Sequence, residues 1–407
     1  MNLLVVFSHS PFPPRSGSTI VAHNILRCLS KRHGITFLCL QSGGGSREVP
    51  EFIKNPEFVS QTQVPGFVRG WRRRFGKLRG IPTIVSDVTS NPMNRRVREL
   101  MEGQGFEAIL LFGMEAIQYC PAAWYHKVIA FIEDPPSLKL SRFSALPVWS
   151  FREKLVMSST EKITRRYERQ FLPRMARVLL LSEADVQDMQ ERDAYGNLGV
   201  VPYGVTTTPE DHIPGFGERT EGMIVFSGNM FHPPNVDGAL NFLRTALPLV
   251  LQQHATATLW IVGADPDTQI REEAARFGGH VIITGRVHDV SEYLRRARVS
   301  ICPVRLKIGC QTKVLEALSC GTPVVTTSAG NSGIRGDSGK ELWVEDGSRE
   351  FAGRVAELLR GESWSQLSAN GRKFIEENFS WEGSARALES HIESVQSPVR
   401  RGEKKHA

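Results

Sequence analysis

Residues 305–327 read RLKIGCQTKVLEALSCGTPVVTT, which is the pattern of a loop, a short helix and a buried strand. Gly309 allows a tight turn in the loop, and Thr312 suits the N-cap of a helix that runs to Cys320. Gly321 then predicts a left-handed helix stop before the apolar residues of the strand. The sequence therefore predicts a helix whose first amide groups face a glycine-bearing loop.

Positive side chains surround the start of this predicted helix. Arg305 and Lys307 lie in the loop before it, and Lys313 lies in its first turn. Amide groups and cations at a helix N-terminus bind anions, most naturally a phosphate or a diphosphate. Glu316 lies on the same helix face as Lys313, where a carboxylate can accept hydrogen bonds from sugar hydroxyls. On spacing alone, an ordinary surface ion pair between Lys313 and Glu316 is an equal alternative.

Length and composition restrict the class of protein. At 407 residues the chain is too long for one typical core, so we expect two domains. Hydrophobic residues make up 41% and charged residues 23%, which is ordinary for a soluble globular protein. No apolar run reaches the length of about 18 residues that a membrane-spanning helix needs, and the start MNLLVVFSHS does not resemble a signal peptide. The net charge of +7 favours anionic partners.

The six cysteines form no CxxC pair and lie mostly among apolar neighbours. We therefore expect reduced thiols and a cytoplasmic protein. No cluster of histidines and carboxylates has the spacing of metal ligands, so neither a metal nor another cofactor is expected.

Two successive series of short apolar strands and helices divide the chain. The first has strands at Leu3–Phe7, Thr36–Leu40, Ala108–Phe112, Val128–Ile132 and Val178–Leu181, and the second begins at 223. A stretch rich in proline, glycine and threonine joins them near 200–222. This alternation predicts an α/β protein with two Rossmann-like domains, at 1–208 and 209–378, that face a cleft. Residues 379–407 are expected to form a helix that crosses back onto the first domain and a disordered basic tail.

Two more strand ends in the second domain suit a nucleotide. Gly228 and Asn229 follow the strand at 223–226, where glycine lets a ligand approach the backbone. Gly285 follows the strand at 281–283, and Val287 comes two residues later. Since ligands of parallel sheets lie beyond the carboxyl ends of the strands, these residues are candidates for binding, with a plain turn as the alternative.

The first domain offers a second set of candidates at its strand ends. Gly17 lies between the first strand and the first helix, within PFPPRSGS at 11–18. Glu133 and Asp134 end another strand, where a carboxylate can orient a hydroxyl group. A helix cap or a surface position is an equal alternative for the two acids.

Residues 68–79, VRGWRRRFGKLR, carry six arginines and lysines and no acid. Their apolar members, Val68, Trp71, Phe75 and Leu78, recur at helical spacing. A basic face beside an aromatic one suits the surface of an anionic membrane, and a solvated basic loop is the alternative. Nucleic acid is not expected, because no recognised binding module accompanies the patch.

In their order along the chain, these motifs resemble the family 4 glycosyltransferases, which are retaining enzymes with the GT-B fold. Gly309, Lys313, the Leu-Glu-Ala at 315–317 and the Gly-Thr-Pro-Val-Val at 321–325 resemble the donor-binding helix of that family. The catalytic residues that the resemblance implies are Arg305, Lys313 and Glu316. The donor-binding residues that it implies are Gly228, Asn229, Gly285, Val287, Gly309, Cys310, Gln311 and Thr312. The acceptor-side residues that it implies are Gly17, Glu133 and Asp134.

The resemblance implies transfer of a sugar from a nucleoside diphosphate donor to a hydroxyl of a glycan or a lipid-linked acceptor. The chain departs from the family at Ile308, where most members have a second glutamate. It also lacks the arginine and lysine that many members carry near Gly228, so Arg305, Lys307 and Lys313 would hold the diphosphate alone. A subgroup linked to polysaccharide assembly has Pro-x-Arg at 303–305 and fits without gaps. A non-catalytic scaffold and an epimerase of nucleotide sugars are the alternatives.

Overall fold

A computed structural model of the protein describes residues 1–14, 16–41, 48–61 and 65–396. The basic tail at 397–407, expected to be disordered, lies outside the described residues.

The first half of the chain forms one seven-stranded parallel sheet in the order β3-β2-β1-β4-β5-β6-β7. Its strands are β1 (Asn2–Phe7), β2 (Gly34–Gln41), β3 (Asn55–Ser60), β4 (Ala108–Phe112), β5 (Val128–Glu133), β6 (Arg177–Leu180) and β7 (Leu198–Val200). Its helices are α1 (Gly17–Leu29), α2 (Gly66–Leu78), α3 (Thr83–Ser86), α4 (Asn91–Gly103), α5 (Pro136–Ser144), α6 (Phe151–Phe171) and α7 (Glu183–Asp193).

The five predicted strands of this half are confirmed, but the edge strands β3 and β7 were not predicted. Both lie at the margin of the sheet and are partly exposed, so they lack the continuous apolar run of a central strand. In β1, by contrast, residues 3–6 are fully buried on both faces. A continuous apolar run without polar alternation identifies such a strand in a sequence.

The second half forms a six-stranded parallel sheet in the order β10-β9-β8-β11-β12-β13. Its strands are β8 (Thr220–Ser227), β9 (Thr258–Val262), β10 (Val281–Gly285), β11 (Ala297–Cys302), β12 (Val324–Thr326) and β13 (Trp343–Val344). Its helices are α8 (Pro233–Asn241), α9 (Leu247–Gln253), α10 (Thr268–Ala275), α11 (Val290–Arg296), α12 (Thr312–Ser319), α13 (Ser328–Asn331), α14 (Ser348–Arg360), α15 (Trp364–Asn378) and α16 (Trp381–Gln396).

Helix α16 returns to the first sheet, which confirms the predicted crossing. Four residues after the end of α1, His33 Nε2 lies 2.8 Å from Glu389 Oε1 of α16. Near β7, the Ser384 hydroxyl donates to the Pro202 carbonyl oxygen at 2.7 Å. The domain boundaries placed at 208 and 378 stay predictions.

Salt bridges also join the two halves of the molecule. Lys307, before α12, contacts Asp188 of α7 with 2.8 Å between Nζ and Oδ1. Arg335 pairs with Glu183 at the start of the same helix. The sheets are therefore held with their carboxyl edges toward a common gap.

One glycine allows the crossing helix to dock. A Cβ added to Gly204 would lie 2.5 Å from the Trp381 ring and 2.8 Å from its backbone nitrogen. We expect Gly204→Ala to lower the unfolding free energy by about 1–3 kcal/mol, because neither neighbour is a flexible side-chain end. Gly217→Ala is the matched control, since a Cβ there meets nothing within 4 Å. Equal denaturation midpoints for the two variants would contradict this packing.

Candidate functional site

Three glycines lie side by side where β8, β9 and β10 end. The Gly228 amide donates to the Val262 carbonyl oxygen at 3.0 Å, and the Gly263 amide donates to that of Gly285 at 3.1 Å. A Cβ added to Gly263 would lie 1.7 Å from the Gly228 oxygen, and all three residues have positive φ. A side chain would be strained at all three positions, and at Gly263 the Gly228 carbonyl leaves no room for one. Gly263 was not predicted, although it follows an apolar strand in the same way as the other two.

Lys313 lies directly against this row of glycines. Its Cε is 3.2 Å from the position of a Cβ on Gly228. Its Nζ lies 3.0 Å from Gln311 Oε1 and 5.9 Å from the centroid of the Phe226 ring. Among the described residues, no carboxylate forms an ion pair within 4.0 Å of Lys313 Nζ. The structure thus brings Lys313, predicted to be catalytic, to Gly228, predicted to bind the donor, and leaves the ammonium group open to an anion.

The first turn of α12 adds amide groups beside Lys313. The helix begins at Thr312, so Gln311 and not Thr312 is the N-cap, and the Gln311 side chain does not cap the first turn. The Gln311 side chain instead turns back, and its Nε2 donates to the Ile308 carbonyl oxygen at 3.1 Å. The amides at the start of α12 are therefore available to a bound anion.

The other two predicted cations have carboxylate partners. The Arg305 guanidinium donates to both oxygens of Asp237, at 3.0 and 2.6 Å, and Asp237 is only 3% exposed. Lys307 is held by Asp188, as described above. The three cations of one sequence segment therefore occupy three different environments, and Lys313 is the one that lies beside Gly228.

Asn229, another predicted donor-site residue, uses its polar groups within its own loop. Its Oδ1 accepts from the Phe231 amide at 3.0 Å. Its carbonyl oxygen accepts from Asn235 Nδ2 at 2.8 Å. The structure thus gives Asn229 a role in shaping the turn after Gly228.

Glu316 lines a cavity of about 410 Å³ between the two halves. The polar residues around it include Asn24, Thr206, Thr207, Thr208, Asp289 and Ser291. Burial raises the pKa of Glu316 to about 7, the Lys313 charge opposes this, and the Asp289 charge adds to it. The hydroxyl and carboxylate lining suits a polar ring with hydroxyl groups. Val287, two residues before Asp289, is partly buried and packs against the adjoining core.

The two halves meet where Gly309 lies against Asp134. A Cβ added to Gly309 would lie 2.2 Å from Asp134 Oδ1, and Gly309 has a φ of 47°. Burial raises the pKa of the Cys310 thiol, and the nearby charges of Asp134 and Asp185 raise it further. Cys310 therefore stays protonated and offers the site its backbone and not a thiolate.

A cavity of about 610 Å³ opens on the first-domain side of this contact. Glu133 and Asp134 line it, and Asp134 Oδ2 lies 3.5 Å from Lys139 Nζ. Glu133 has a φ of 59°, which is unusual for a residue with a side chain. Burial raises its pKa to about 7, while a hydrogen bond from Ser18 opposes the rise.

Gly17, the third acceptor-side candidate, is the first residue of α1. It is exposed, and a Cβ added to it would meet nothing within 4 Å. Its neighbours Ser18 and Thr19, and not Gly17, are among the residues that line the cavity.

Glu115 is a lining residue that the sequence did not single out. The Ser8 hydroxyl donates to Glu115 Oε1 at 2.7 Å, and Gly113 makes room for the carboxylate with a φ of 85°. A Cβ on Gly113 would lie 2.6 Å from the same oxygen. The signal was a glycine at the end of β4, next to the strands that carry Ser8 and Glu133 at their ends.

Residues 221–361 match the family described as Glycosyl transferases group 1. The matched range contains the row of glycines, Lys313 and Glu316. It covers about a third of the chain and most of the second sheet.

Two curated relatives are each 24% identical to the chain where they align. An uncharacterized 44.6 kDa protein in the cps region of Klebsiella pneumoniae aligns over 38% of this chain and 42% of its own length. The phosphatidyl-myo-inositol mannosyltransferase of Mycolicibacterium smegmatis aligns over 54% of this chain and 61% of its own length. The chain spans about half the length of the curated relatives it matches.

Among solved structures, HepE from Anabaena in complex with UDP and glucose superimposes with a TM-score of 0.65. The alignment covers 96% of this chain and 99% of HepE at 14% identity. The likeness establishes the GT-B fold, as the two parallel sheets across a gap had indicated. Across the described residues, no helix has the length and apolar character that crossing a bilayer requires.

The contact between Gly309 and Asp134 can be tested by paired substitutions. Gly309→Ala places a methyl group against the carboxylate and forces alanine into positive φ, so we expect a loss of about 1–3 kcal/mol in unfolding free energy. In the double variant, Asp134→Ala removes the steric clash, but the alanine at position 309 still has an unfavourable positive φ. The double variant should therefore lose less than the sum of the single losses, as measured by denaturant unfolding. Additive losses would show that the two residues do not touch in solution.

Proposed function

We propose that the protein is a glycosyltransferase that moves a sugar from a nucleoside diphosphate donor to a hydroxyl of a glycan or lipid-linked acceptor. The observation that carries this proposal is the position of Lys313. Its ammonium group, without a carboxylate partner among the described residues, adjoins Gly228 and the uncapped start of α12. The group 1 match covers this region, and HepE was solved with UDP and glucose.

The charges of the site suit cleavage of the bond between sugar and diphosphate. Negative charge grows on the leaving diphosphate, where Lys313 and the amides at Gly309–Thr312 would stabilise it. Positive charge grows on the sugar ring, on the side of the gap that carries Glu133 and Asp134. These carboxylates would also orient the acceptor hydroxyl. We propose that no bound metal or cofactor is required, so EDTA should leave turnover unchanged.

For Arg305 we propose a positioning role. Its pairing with the buried Asp237 joins the loop before α12 to helix α8, which follows the Gly228 loop. The loop and the helix would then hold Lys313 and Gly228 at a constant separation. Asp237→Asn should weaken turnover to the same extent as Arg305→Gln, whereas direct contact with the diphosphate would make only the arginine variant deficient.

The family 4 resemblance supports retention of the anomeric configuration. The order of Gly17, Gly228, Lys313 and Glu316 along the chain fits that family. Nuclear magnetic resonance of the first-formed product reports the configuration directly, and an inverted product would contradict membership of a retaining family. The relative in the cps region supports a role in polysaccharide or glycoconjugate assembly. We also propose a cytoplasmic site of action at the membrane surface, reached through the basic helix α2.

A second candidate, a non-catalytic scaffold, is favoured by Ile308. Its side chain is apolar and 7% exposed where most family 4 members have a glutamate. Incubation with a nucleotide sugar in the absence of acceptor separates the two ideas, because an enzyme slowly releases nucleoside diphosphate and a scaffold does not. Analysis of the sugar in the same incubation would reveal an epimerase.

Lys313→Ala should lower kcat by about 10²–10³-fold while the protein stays folded, since one preorganised donor to the leaving group is lost. Lys373→Ala is the matched control, because Lys373 is an exposed lysine paired with Glu377 on α15. Circular dichroism of both variants checks the fold. Wild-type turnover in Lys313→Ala would remove the proposed catalytic role.

The pKa of Glu316 predicts how donor binding depends on pH. Ribose hydroxyls would donate to the ionised carboxylate, and this form predominates above a pKa of about 7. We therefore expect UDP to bind more tightly as the pH rises from about 6 to 8, because Glu316 loses its proton over this range. Glu316→Gln should bind UDP weakly and show less change with pH in calorimetry. Ionisation of the UDP diphosphate also changes with pH, but it affects binding to the wild type and to Glu316→Gln equally. The difference between the two proteins therefore reports Glu316.

A further inference from the structure

Exposed apolar side chains are concentrated on three helices of the first domain. Nine large apolar side chains are exposed among the described residues, and eight of them lie on α2, α3 and the start of α6. They are Phe67, Trp71, Phe75, Leu78, Ile84, Phe151, Leu155 and Val156. The ninth, Phe231, lies in the other domain. Such a concentration marks an interaction surface, because scattered exposed residues would be spread over both domains.

Helix α2 contributes an aromatic surface within a basic one. Trp71 and Phe75 stack with 5.3 Å between ring centroids and are 61% and 49% exposed. The helix is seated by Gly76, which lies against Ser86 of α3, so its aromatic residues point away from the domain. The six cations at 69–79 accompany them, and among the described residues only Arg73 forms a salt bridge, with Asp87 at 2.7 Å. Of the four apolar residues predicted to share a face, Trp71, Phe75 and Leu78 are exposed and Val68 is partly buried, and the exposed Phe67 was not predicted.

Helix α6 supplies further exposed apolar residues, which no sequence motif had indicated. Phe151, Leu155 and Val156 are 77%, 55% and 62% exposed at its start. One turn further along, Thr160 lines the 610 Å³ cavity, and Thr164 lines it deeper in. The side of α6 that forms the cavity wall therefore continues outward to Val156.

The cavity opens between these two apolar groups. Ile84 of α3, which adjoins α2, lines it together with Thr160 of α6. Its walls include the apolar side chains of Phe112, Leu140 and Phe143, and its charged lining residues include Glu115, Glu133, Asp134 and Lys139. Apolar walls and a polar end suit an amphiphile whose hydroxyl-bearing head reaches Glu133 and whose apolar stem leads to the mouth.

We propose that α2, α3 and the start of α6 rest on an anionic bilayer, and that the cavity takes the head group of a lipid-anchored acceptor directly from it. This deepens the proposed function by choosing a lipid-linked acceptor over a free glycan. An anionic bilayer is the occupant that the charges favour, because the cations of α2 surround the apolar residues and no acid lies between 68 and 79. A second copy of the chain would bring the same positive charges together and is disfavoured.

The first experiment measures binding to vesicles by flotation. Wild-type protein should float with vesicles of phosphatidylcholine and phosphatidylglycerol at low salt, and less with pure phosphatidylcholine. The triple variant Phe151→Ser, Leu155→Ser, Val156→Ser should partition about tenfold less, because three exposed apolar side chains lose their contact with lipid. Phe231→Ser is the matched control, since it removes an equally exposed side chain from the other domain. Equal flotation of the triple variant and wild type would overturn the proposed face.

The second experiment measures the preference of the cavity for an amphiphile. By calorimetry below its micelle concentration, octyl glucoside should bind more tightly than methyl glucoside, and Ile84→Asp should abolish the difference. Equal affinity for the two glucosides would overturn the lipid-anchored acceptor and favour a free glycan.

UDP binding, measured on every variant, separates this inference from the proposed function. The triple variant should bind UDP as the wild type does, because its substitutions lie far from α12 in the chain and on the outer surface. Loss of vesicle binding with intact UDP binding supports the docking face. Absence of UDP binding in wild-type protein would contradict the glycosyltransferase itself.

Discussion

The contact of Gly309 with Asp134 is the constraint on which the arrangement of the site depends. Any side chain at position 309 would occupy the space of the Asp134 carboxylate, so the loop before α12 can approach the end of β5 only as glycine. This approach brings the carboxyl edges of two parallel sheets to one gap. The carboxyl edge is where such sheets bind ligands, and here two edges share the same ligand space.

Charge is unequally divided across that gap. The first domain presents Glu115, Glu133 and Asp134, with Lys139 beside Asp134, and the second presents Lys313 with the amides of α12. Burial raises the pKa of Glu133 and of Glu316 to about 7. A reaction that separates a developing cation from a leaving anion suits this division.

The ion pairs show why neighbouring residues in a sequence need not act together. Arg305, Lys307 and Lys313 lie within nine residues of sequence. Arg305 nevertheless pairs with Asp237, Lys307 pairs with Asp188, and Lys313 lies beside Gly228. Each carboxylate partner comes from a segment more than 60 positions away in the chain. A paired cation mainly fixes geometry, whereas an unpaired one beside an uncapped helix can bind an anion.

The sequence by itself determined the two α/β halves, the crossing helix and the glycine-bearing loop before α12, because buried parallel strands, helix stops and tight turns are local patterns. It also indicated α2, since aromatic and basic residues at helical spacing are visible in one segment. The tertiary structure alone decided which cation remains open, that Gln311 precedes the helix, and that Glu115 faces the larger cavity. Only the folded structure brings α6 and α3, which adjoins α2, to the same cavity. These features depend on contacts between residues distant in the chain, and such contacts leave no periodic signal in a single sequence.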